Sequence, residues 1–336
     1  MKLDRATARR LLVLKSALHS EDETLVDFVA KTIQDKGSDE ISDIKQESMS
    51  PNRYDYALYL INKLLNKGTG GELLNDGSHQ GEEKTFQIGN NSDIKMCWCP
   101  SGSFFEDSWS IEVPRDLDSP LVEECVKSRI VITRGFWLGK TPITQEQWES
   151  LMGENPSHFR GRDLPVENVS WMDISKPGGF LSRANESNPN NGLFALPTRA
   201  QWQLAARAST TIKSNDEETK MIDSSDCWHS ENSRNKTQPV GYKKPNSWGL
   251  QDMLGNVWEW CEDGDGDYQP GINFDPVIST VSGKSAMGGA WNCSVNNCSF
   301  DSVNMRNPSG FHFNLGFRLL LTRSPWIDGD YDHYLG

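Results

Sequence analysis

The first 75 residues place apolar side chains with the period of amphipathic helices. Apolar positions recur three or four residues apart in three segments, near residues 11–18, 25–33 and 57–65. A polar stretch rich in Ser, Asp, Glu and Lys separates the second and third segments, and a Gly-rich run ends the third. We therefore expect a helical module over residues 1–75 and a linker over residues 76–84.

The pattern changes near residue 85, where short alternating runs and turn residues replace the helical period. Only residues 144–152 and 198–208 keep a clear helical pattern, and each begins with a Thr followed three positions later by a Gln, the spacing of a capping box. The run Met-Cys-Trp-Cys at residues 96–99 alternates as a strand does, so both thiols are expected on one face. We expect residues 85–336 to form one domain of short strands and loops.

Tryptophan is concentrated in this second part of the chain. Each indole offers a large apolar face and one N–H to satisfy, which suits a loop-rich domain that must still build a core. Glu259, placed between two of the tryptophans, is expected to hydrogen-bond inside the fold. The tryptophans expected in the core are Trp148, Trp171, Trp202, Trp258 and Trp260.

The chain is acidic, and its charge narrows the choice of partners. Its 336 residues carry a formal net charge of −13, so the average field repels phosphate backbones and anionic membrane surfaces. We expect neither nucleic acid nor a membrane as a partner. The start of the chain lacks the uninterrupted apolar core of a signal peptide, and no apolar run approaches the roughly 18 residues of a membrane span. These patterns predict a cytoplasmic protein.

The cysteines and one acidic turn are candidate metal ligands. Seven cysteines, an odd number without an export signal, disfavour a disulfide framework, and most are expected to be buried thiols. Asp263, Asp265 and Asp267 alternate with other residues in a turn, so their oxygens would suit calcium. The turn lacks the distal Glu of an EF-hand, so a solvated acidic turn is favoured and a structural calcium site is the alternative.

Six motifs in the second part occur in a fixed order. They are FWLGKTPITQEQW at 136–148, MGENPSHF at 152–159, LPVENVSW at 164–171, LPTRAQWQLAARA at 196–208, GLQDMLGNVWEW at 249–260 and GFR at 316–318. Together they resemble the formylglycine-generating enzyme family, also called the sulfatase-modifying-factor family, over roughly residues 90–322. The resemblance implies an α+β, C-type-lectin-like fold with irregular strands and long loops.

Two cysteines support a catalytic interpretation of this resemblance. In catalytic members, two cysteines after a Gly-Gly-Ser-aromatic motif bind copper(I) and use oxygen to convert a peptidyl cysteine into formylglycine; soft thiolates suit copper(I). Counted from the glycine pair, Cys293 and Cys298 occupy those places. Counted back from Gly-Phe-Arg, Cys298 instead matches a structural cysteine of members without the copper pair. Ala290 also replaces the Ser of the motif, and the arginines that usually follow are absent.

A non-catalytic branch of the family supports a different interpretation. It includes the variable proteins of diversity-generating retroelements, whose Asn-rich segment before Gly-Phe-Arg changes specificity, and residues 291–315 resemble that segment. We therefore favour a non-enzymatic protein that recognises a protein or another macromolecule through residues 291–313. The expected contact residues are Trp291, Asn292, Cys293, Val295, Asn297, Phe300, Asp301, Ser302, Asn304, Phe311, His312 and Phe313.

Two further functions remain open from the sequence. One is a copper-dependent oxidase that uses Cys293 and Cys298, and the other is a scaffold subunit that associates through residues 1–68. If the chain is a recognition protein or a scaffold subunit, its N-terminal helices would bind a partner protein or a second copy of the chain. His158, within one of the motifs, is expected to be a turn residue rather than a general base.

Overall fold

The computed structural model describes residues 77–322 apart from residues 90–91, 115–120, 187–191, 209–224, 270 and 280–281. Of residues 107–114 and 121–127 it describes the backbone alone. The helices expected in residues 1–75 lie outside the described residues. The described helices are α1 (Gln145–Met152), α2 (Trp171–Ser175), α3 (Phe180–Glu186) and α4 (Arg199–Arg207). The strands are β1 (Glu83–Ile88), β2 (Ser92–Cys99), β3 (Gly102–Pro114), β4 (Leu121–Ile132), β5 (Phe136–Gly139), β6 (Leu193–Ala195), β7 (Trp258–Gly264), β8 (Gly271–Phe274), β9 (Lys284–Met287), β10 (Val303–Arg306), β11 (Leu315–Gly316) and β12 (Leu320–Thr322).

The described strands form three sheets, in which most strand pairs are antiparallel. One sheet has the order β1-β2-β5-β12-β6, the second β10-β9-β7-β11 and the third β3-β4-β8. In the first sheet β12 pairs with both β5 and β6, with Leu320 opposite Leu138 on one side and Ala195 on the other. The expected α+β architecture of short strands and long loops is confirmed. None of the described helices is long and apolar enough to cross a membrane.

Side-chain alternation in β2 divides the core into two clusters. Met96 and Trp98 pack into a cluster that contains Trp137, whereas Cys97 and Cys99 pack into a second cluster that contains Trp202. Successive residues of a strand point to opposite faces, so a run of four residues contributes to both clusters. The prediction that the two thiols share one face is confirmed.

Helices α1 and α4 begin where the capping boxes predict. Thr144 and Thr198 are the N-caps, and the side chains of Gln147 and Gln201 accept from the N-cap backbone N–H groups at 2.9 Å. Each box satisfies two of the backbone donors that a helix leaves unpaired at its start. The positions of both helices are therefore determined by local sequence.

Helices α2 and α3 were not predicted from the sequence, which shows a clear helical pattern only at α1 and α4. Helix α2 has five residues behind a capping box made by Ser170 and Asp173, and α3 has seven residues that bury Phe180, Leu181 and Ala184. Helices of one to two turns are too short to show a convincing helical period. Their apolar residues join the first core cluster, so packing against that cluster stabilises them.

A buried ion pair joins distant parts of the chain. The carboxylate of Glu259 in β7 accepts hydrogen bonds from Arg318, at 2.6 and 2.7 Å, and from the indole N–H of Trp202, at 2.7 Å. Arg318 and Glu259 are fully buried, and Arg318 also donates to the carbonyl of Gly139 at 2.9 Å. The prediction that Glu259 bonds inside the fold is confirmed, and of the five core tryptophans all but the half-buried Trp171 are buried.

Candidate functional site

The segment after β9 leaves its strand through two glycines in the left-handed region. Gly288 and Gly289 have φ angles of 92° and 82°. A Cβ atom on Gly289 would lie 2.7 Å from the carbonyl oxygen of Asn297 and 2.9 Å from the sulfur of Cys298. Only glycine adopts this backbone readily and leaves room for the chain to fold back on itself. The glycine pair therefore packs residues 290–298 tightly.

A second loop supports the start of this segment. The hydroxyl of Ser233 donates to the carbonyl of Trp291 at 2.9 Å, and the N–H of Ser230 donates to the carbonyl of Cys293 at 2.9 Å. The backbone N–H of Trp291 donates to the carbonyl of Asn256 at 2.8 Å. These bonds satisfy backbone groups of an irregular segment and hold it in one conformation.

Aromatic and imidazole rings from two loops meet beside Trp291. The ring centroids of Phe159 and Trp291 are 5.5 Å apart, and those of Trp291 and Phe313 are 5.9 Å apart. His312 and His158 lie 4.9 and 6.0 Å from Phe313. These separations are typical of interacting rings. We call the group, with the neighbouring Phe311, the aromatic patch: His158, Phe159, Trp291, Phe311, His312 and Phe313.

The outer part of the aromatic patch is exposed. Phe311 is 63% and Phe313 37% exposed, whereas Trp291 is 7% exposed, and its indole N–H donates to the carbonyl of Phe313. Met172, 41% exposed, donates its backbone N–H to the carbonyl of Pro308 in the same loop as Phe311. Grouped apolar side chains on a surface mark binding sites. Trp291, expected from the sequence as a contact anchor, is instead a supporting ring.

A buried carboxylate fixes the loop that contributes His158 and Phe159. Glu167 is fully buried, and its Oε1 accepts the backbone N–H of Phe159 at 2.8 Å. The next residue, Asn168, donates its backbone N–H to the carbonyl of His312 at 2.9 Å. Burial raises the pKa of Glu167 to about 7, although hydrogen bonds from backbone N–H groups oppose the shift. Residues 167–168 therefore hold both loops of the patch.

We expect the Glu167→Gln substitution to change how stability depends on pH. The folded-state pKa of about 7 exceeds the ordinary value of 4.5, so folded wild-type protein binds more protons than unfolded protein between these values. Wild-type stability should therefore fall, relative to the variant, by about 2–3 kcal/mol as pH rises from 4.5 to 7. Urea denaturation of both proteins across this range measures the difference. Parallel stability curves would contradict the prediction, and Glu154→Gln, on the exposed surface nearby, is the control.

Two asparagines place an unpaired acceptor beside the patch. Asn314 is 5% exposed, and its Nδ2 donates to the Oδ1 of Asn292 at 2.9 Å, whereas its own Oδ1 has no hydrogen-bond partner. A buried acceptor without a donor is energetically costly. Asn314 directly follows Phe313 in the chain, and its unpaired oxygen is shielded from solvent inside the fold.

Phe300 and Asp301 contact a different part of the domain. Phe300 packs against the second core cluster, and the guanidinium of Arg207 in α4 lies over its ring at 5.6 Å. The same guanidinium forms an ion pair with Asp301. Both predicted contact residues are therefore held by α4 rather than grouped with the aromatic patch.

The remaining predicted contact residues lie in or next to two short elements. Val295 and Asn297 belong to a 3₁₀ turn, in which Asn297 is exposed. Ser302 shares a hydroxyl hydrogen bond of 2.9 Å with Ser299, and Asn304 lies in β10 opposite Ala286. All of them are at least partly accessible, so they border the segment without joining the ring cluster.

The two candidate copper ligands differ in their surroundings. Cys293 is partly buried and packs against the first core cluster, whereas Cys298 is fully buried. A hydrogen bond with the thiol of Cys227, together with burial and the nearby Cys293, raises the pKa of Cys298 well above its usual range. The thiols suit copper(I) as donors. Cys298 nevertheless has Cys227 as its hydrogen-bond partner, as a structural cysteine would.

The three aspartates of the acidic turn do not converge. Asp263 is buried, and its two oxygens accept the backbone N–H groups of Arg199, at 2.6 Å, and Ile278, at 3.1 Å. Asp265 and Asp267 are exposed. Within the described ranges, no three or more His, Cys, Asp or Glu residues form a group that would hold a metal ion. Asp263 therefore supports the start of α4, and the two exposed aspartates fit the solvated acidic turn that the sequence favours over a calcium site.

The sequence interpretation did not identify five residues that build this site. His158 and Phe159 belong to a motif that was interpreted as structural, and Glu167 belongs to the next one. Asn314 and Cys227 carry no local signal of their roles. The adjacent rings of His158 and Phe159 were the one sequence feature that indicated a role in binding, because paired rings in a loop often contact a ligand.

Known proteins similar to this chain share its fold and its motifs. The chain is 28% identical over 233 residues to the chaperone protein LppX of Paenibacillus barcinonensis, a match covering 56% of this chain and 80% of LppX. It is 26% identical over 229 residues to the formylglycine-generating enzyme of Mus musculus, covering 62% of this chain and 58% of the enzyme, which is less than two thirds of the enzyme's length.

A solved structure and a family match extend this similarity. Treponema denticola variable protein 1 superposes with a TM-score of 0.52 at 27% sequence identity, over 71% of this chain and 98% of that protein. Residues 85–323 match the Sulfatase-modifying factor enzyme 1-like domain. This match covers well over half of the chain and agrees with the resemblance seen in the motifs. The chain therefore belongs to the sulfatase-modifying factor enzyme 1-like family.

Proposed function

We propose that this protein is a non-enzymatic recognition protein that binds its ligand at the aromatic patch. The observation that carries the proposal is the exposure of Phe311 and Phe313, together with the contact of the Phe313 ring with Trp291. Rigid aromatic side chains provide a large contact area at low cost in conformational entropy. Asn292, Asn296 and Asn297 supply exposed polar groups in the segment that follows Trp291 in the chain.

Similarity to a variable protein adds support to this proposal. Treponema denticola variable protein 1 is 27% identical to this chain, and nearly all of that protein is covered. The chain also has Ala290 where catalytic relatives are expected to have Ser. In the proposed function, the binding surface is formed by residues 291–313, which resemble the variable segment of such proteins, and by the loop at 155–159. The ligand is a protein or another macromolecule.

The alternative function is a copper-dependent oxidase that converts a peptidyl cysteine into formylglycine. It is favoured by two thiols, Cys293 and Cys298, that lie close enough to affect each other electrostatically. The oxidase requires thiol-dependent copper(I) binding and oxidation of a cysteine peptide under oxygen. A copper(I) titration against a competing chelator, with Cys293→Ser and Cys227→Ser, tests it. Tight binding lost in Cys293→Ser, together with oxidised peptide, would establish the enzyme instead.

We expect selection from a random-peptide display library to yield clones that depend on the aromatic patch. Clones that bind the wild-type protein should lose at least about tenfold in affinity for Phe311→Leu, because a central aromatic contact contributes roughly 1–2 kcal/mol. Phe311 is exposed, so the substitution should leave the fold intact. Binding to the individual variants is measured by biolayer interferometry.

Phe105→Leu is the matched control for this selection. Phe105 is also an exposed phenylalanine, 52% accessible, but it lies in β3 and does not belong to the patch. Clones should bind this variant as they bind wild type. If every clone binds wild type, Phe311→Leu and Phe105→Leu equally, the aromatic patch is not the recognition site.

A further inference from the structure

We propose that the aromatic patch and the two loops beside it recognise an acidic segment of a partner protein, in which Asp or Glu side chains adjoin an apolar one. This inference rests on the proposed function and specifies the chemistry of the ligand. The apolar side chain contacts the exposed phenylalanines of the patch, and the carboxylates contact three exposed cationic side chains beside it: Arg160, Arg234 and Lys236. The position, the pairing and the excess of these cations support the proposal.

Two of the cations belong to loops that contact Trp291 directly. Arg160 follows Phe159, whose ring meets Trp291 edge to face with the centroids 5.5 Å apart. Arg234 follows Ser233, whose hydroxyl donates to the carbonyl of Trp291 at 2.9 Å. Successive Cα atoms are about 3.8 Å apart, so each arginine starts one residue away from a group in contact with Trp291. A ligand that covers the patch therefore reaches both loops.

The turn that carries Arg234 and Lys236 has an unusual backbone. Arg234 and Asn235 have φ angles of 57° and 55°, in the left-handed region that a long side chain such as that of arginine rarely adopts. The side chain of Gln238 closes the turn by donating to the carbonyl of Ser233 at 2.6 Å. Backbone strain of this kind is concentrated at functional sites. The strain gives this turn a reason to be part of the binding surface.

None of the three cations is neutralised by an ion pair within the part of the chain that the structure describes. Arg234 and Lys236 have no carboxylate partner there. Arg160 lies near the buried Glu167, but its guanidinium donates to the carbonyl of Asn155 instead. The charges of all three remain available to a carboxylate supplied by a partner.

The other exposed charges of the same segments leave this positive excess in place. Residues 155–163, 229–238 and 291–313 are all described, and in them Arg162 is balanced by Glu146 and the nearby Asp163, while Asp301 pairs with an arginine of α4. Glu231 is then the one exposed carboxylate of these segments against three cations. Charges farther than about 8–10 Å are largely screened at physiological salt, so the net charge of −13 does not cancel the local excess at contact distance.

The test measures the binding of labelled probes to the full-length protein by fluorescence anisotropy at fixed pH and about 0.15 M salt, which suppresses long-range effects of net charge. Three peptides of equal length repeat Gly-Leu-Glu, Gly-Leu-Gln or Gly-Leu-Lys. The Gly-Leu-Glu peptide should bind at least about tenfold more tightly than Gly-Leu-Gln, and Gly-Leu-Lys should bind most weakly. Equal affinities, or a preference for Gly-Leu-Lys, would overturn the inference. Tighter binding of an oligothymidylate with the same number of charges would overturn it in favour of a nucleic acid.

Substitutions of single exposed charges locate the binding site. Arg234→Gln and Lys236→Gln should each weaken Gly-Leu-Glu binding about threefold, because each removes one cation beside the patch. Glu231→Gln should strengthen it about twofold, since it removes the competing carboxylate. Arg134→Gln is the matched control: it removes the same charge from an exposed site in the turn between β4 and β5, so the affinity should not change. Equal affinities of this control and the two cation variants would overturn the proposed site.

The outcome also separates this inference from the function on which it rests. If library clones depend on Phe311 but carry neutral or basic sequences, the recognition function holds and the acidic ligand is wrong. If neither the library clones nor the Gly-Leu-Glu peptide depend on the patch and its loops, both proposals are wrong. Patch-dependent clones enriched in Asp and Glu support both.

Discussion

Replacing Arg318 by methionine is expected to destabilise the domain by about 3–5 kcal/mol, because the buried carboxylate of Glu259 would lose its charged partner. Glu259 would keep the indole N–H of Trp202 as its remaining donor. The lost guanidinium also bonds the carbonyls of Gly139 and Gln251, which would become unpaired. Chemical denaturation of both proteins measures the loss.

The control for Arg318 is an arginine whose ion pair is exposed. Arg162 pairs with Glu146, and its side chain is 79% accessible. The Arg162→Met substitution should cost less than about 1 kcal/mol, since exposed ion pairs contribute little. A similar small loss in Arg318→Met would show that the buried pair contributes no more than a surface pair, contrary to the prediction.

The second large effect is expected for Gly289→Ala. The new methyl group would meet the carbonyl oxygen of Asn297 at 2.7 Å and the sulfur of Cys298 at 2.9 Å, and the φ of 82° is itself unfavourable for alanine. Backbone strain and overpacking together should destabilise the protein by about 2–5 kcal/mol. The displaced segment should also expose Cys298, so alkylation of this thiol, followed by mass spectrometry, should become faster.

Gly153 offers a control with the same backbone angle but free space. Its φ is 81°, and an added Cβ atom would have no neighbour within 4 Å. Gly153→Ala should therefore show only the backbone strain, about 1–2 kcal/mol, and should leave the alkylation of Cys298 unchanged. If the two variants lose equal stability, close packing of residues 289–298 does not contribute to stability.

Features that depend on neighbouring residues were predicted correctly from the sequence. The capping boxes at Thr144 and Thr198 place two helices, and the alternation at residues 96–99 separates two cysteines from Trp98. Each signal is read within a few residues, because the hydrogen bond or the strand geometry that produces it is local. The ordered motifs then identified the family, which local patterns alone could not do.

The candidate site was only partly predictable, because it depends on contacts between distant segments. Phe159 reaches Trp291 and His158 reaches Phe313 across more than a third of the chain. Phe300 and Asp301 lie near Trp291 in sequence, but Arg207 holds them elsewhere. Cys298 similarly bonds with Cys227, which no spacing rule relates to it. Such contacts depend on the tertiary fold, so no periodic pattern in the sequence predicts them.

The position of β12 determines when the first sheet can be completed during synthesis. This strand lies between β5 and β6, although both are translated long before it. A nascent chain that has not yet released residues 320–322 from the ribosome therefore presents two unpaired strand edges, which readily pair with other chains. We infer that the first sheet closes only after residues 320–322 have left the ribosome, and that the edges of β5 and β6 are open to mispairing until then.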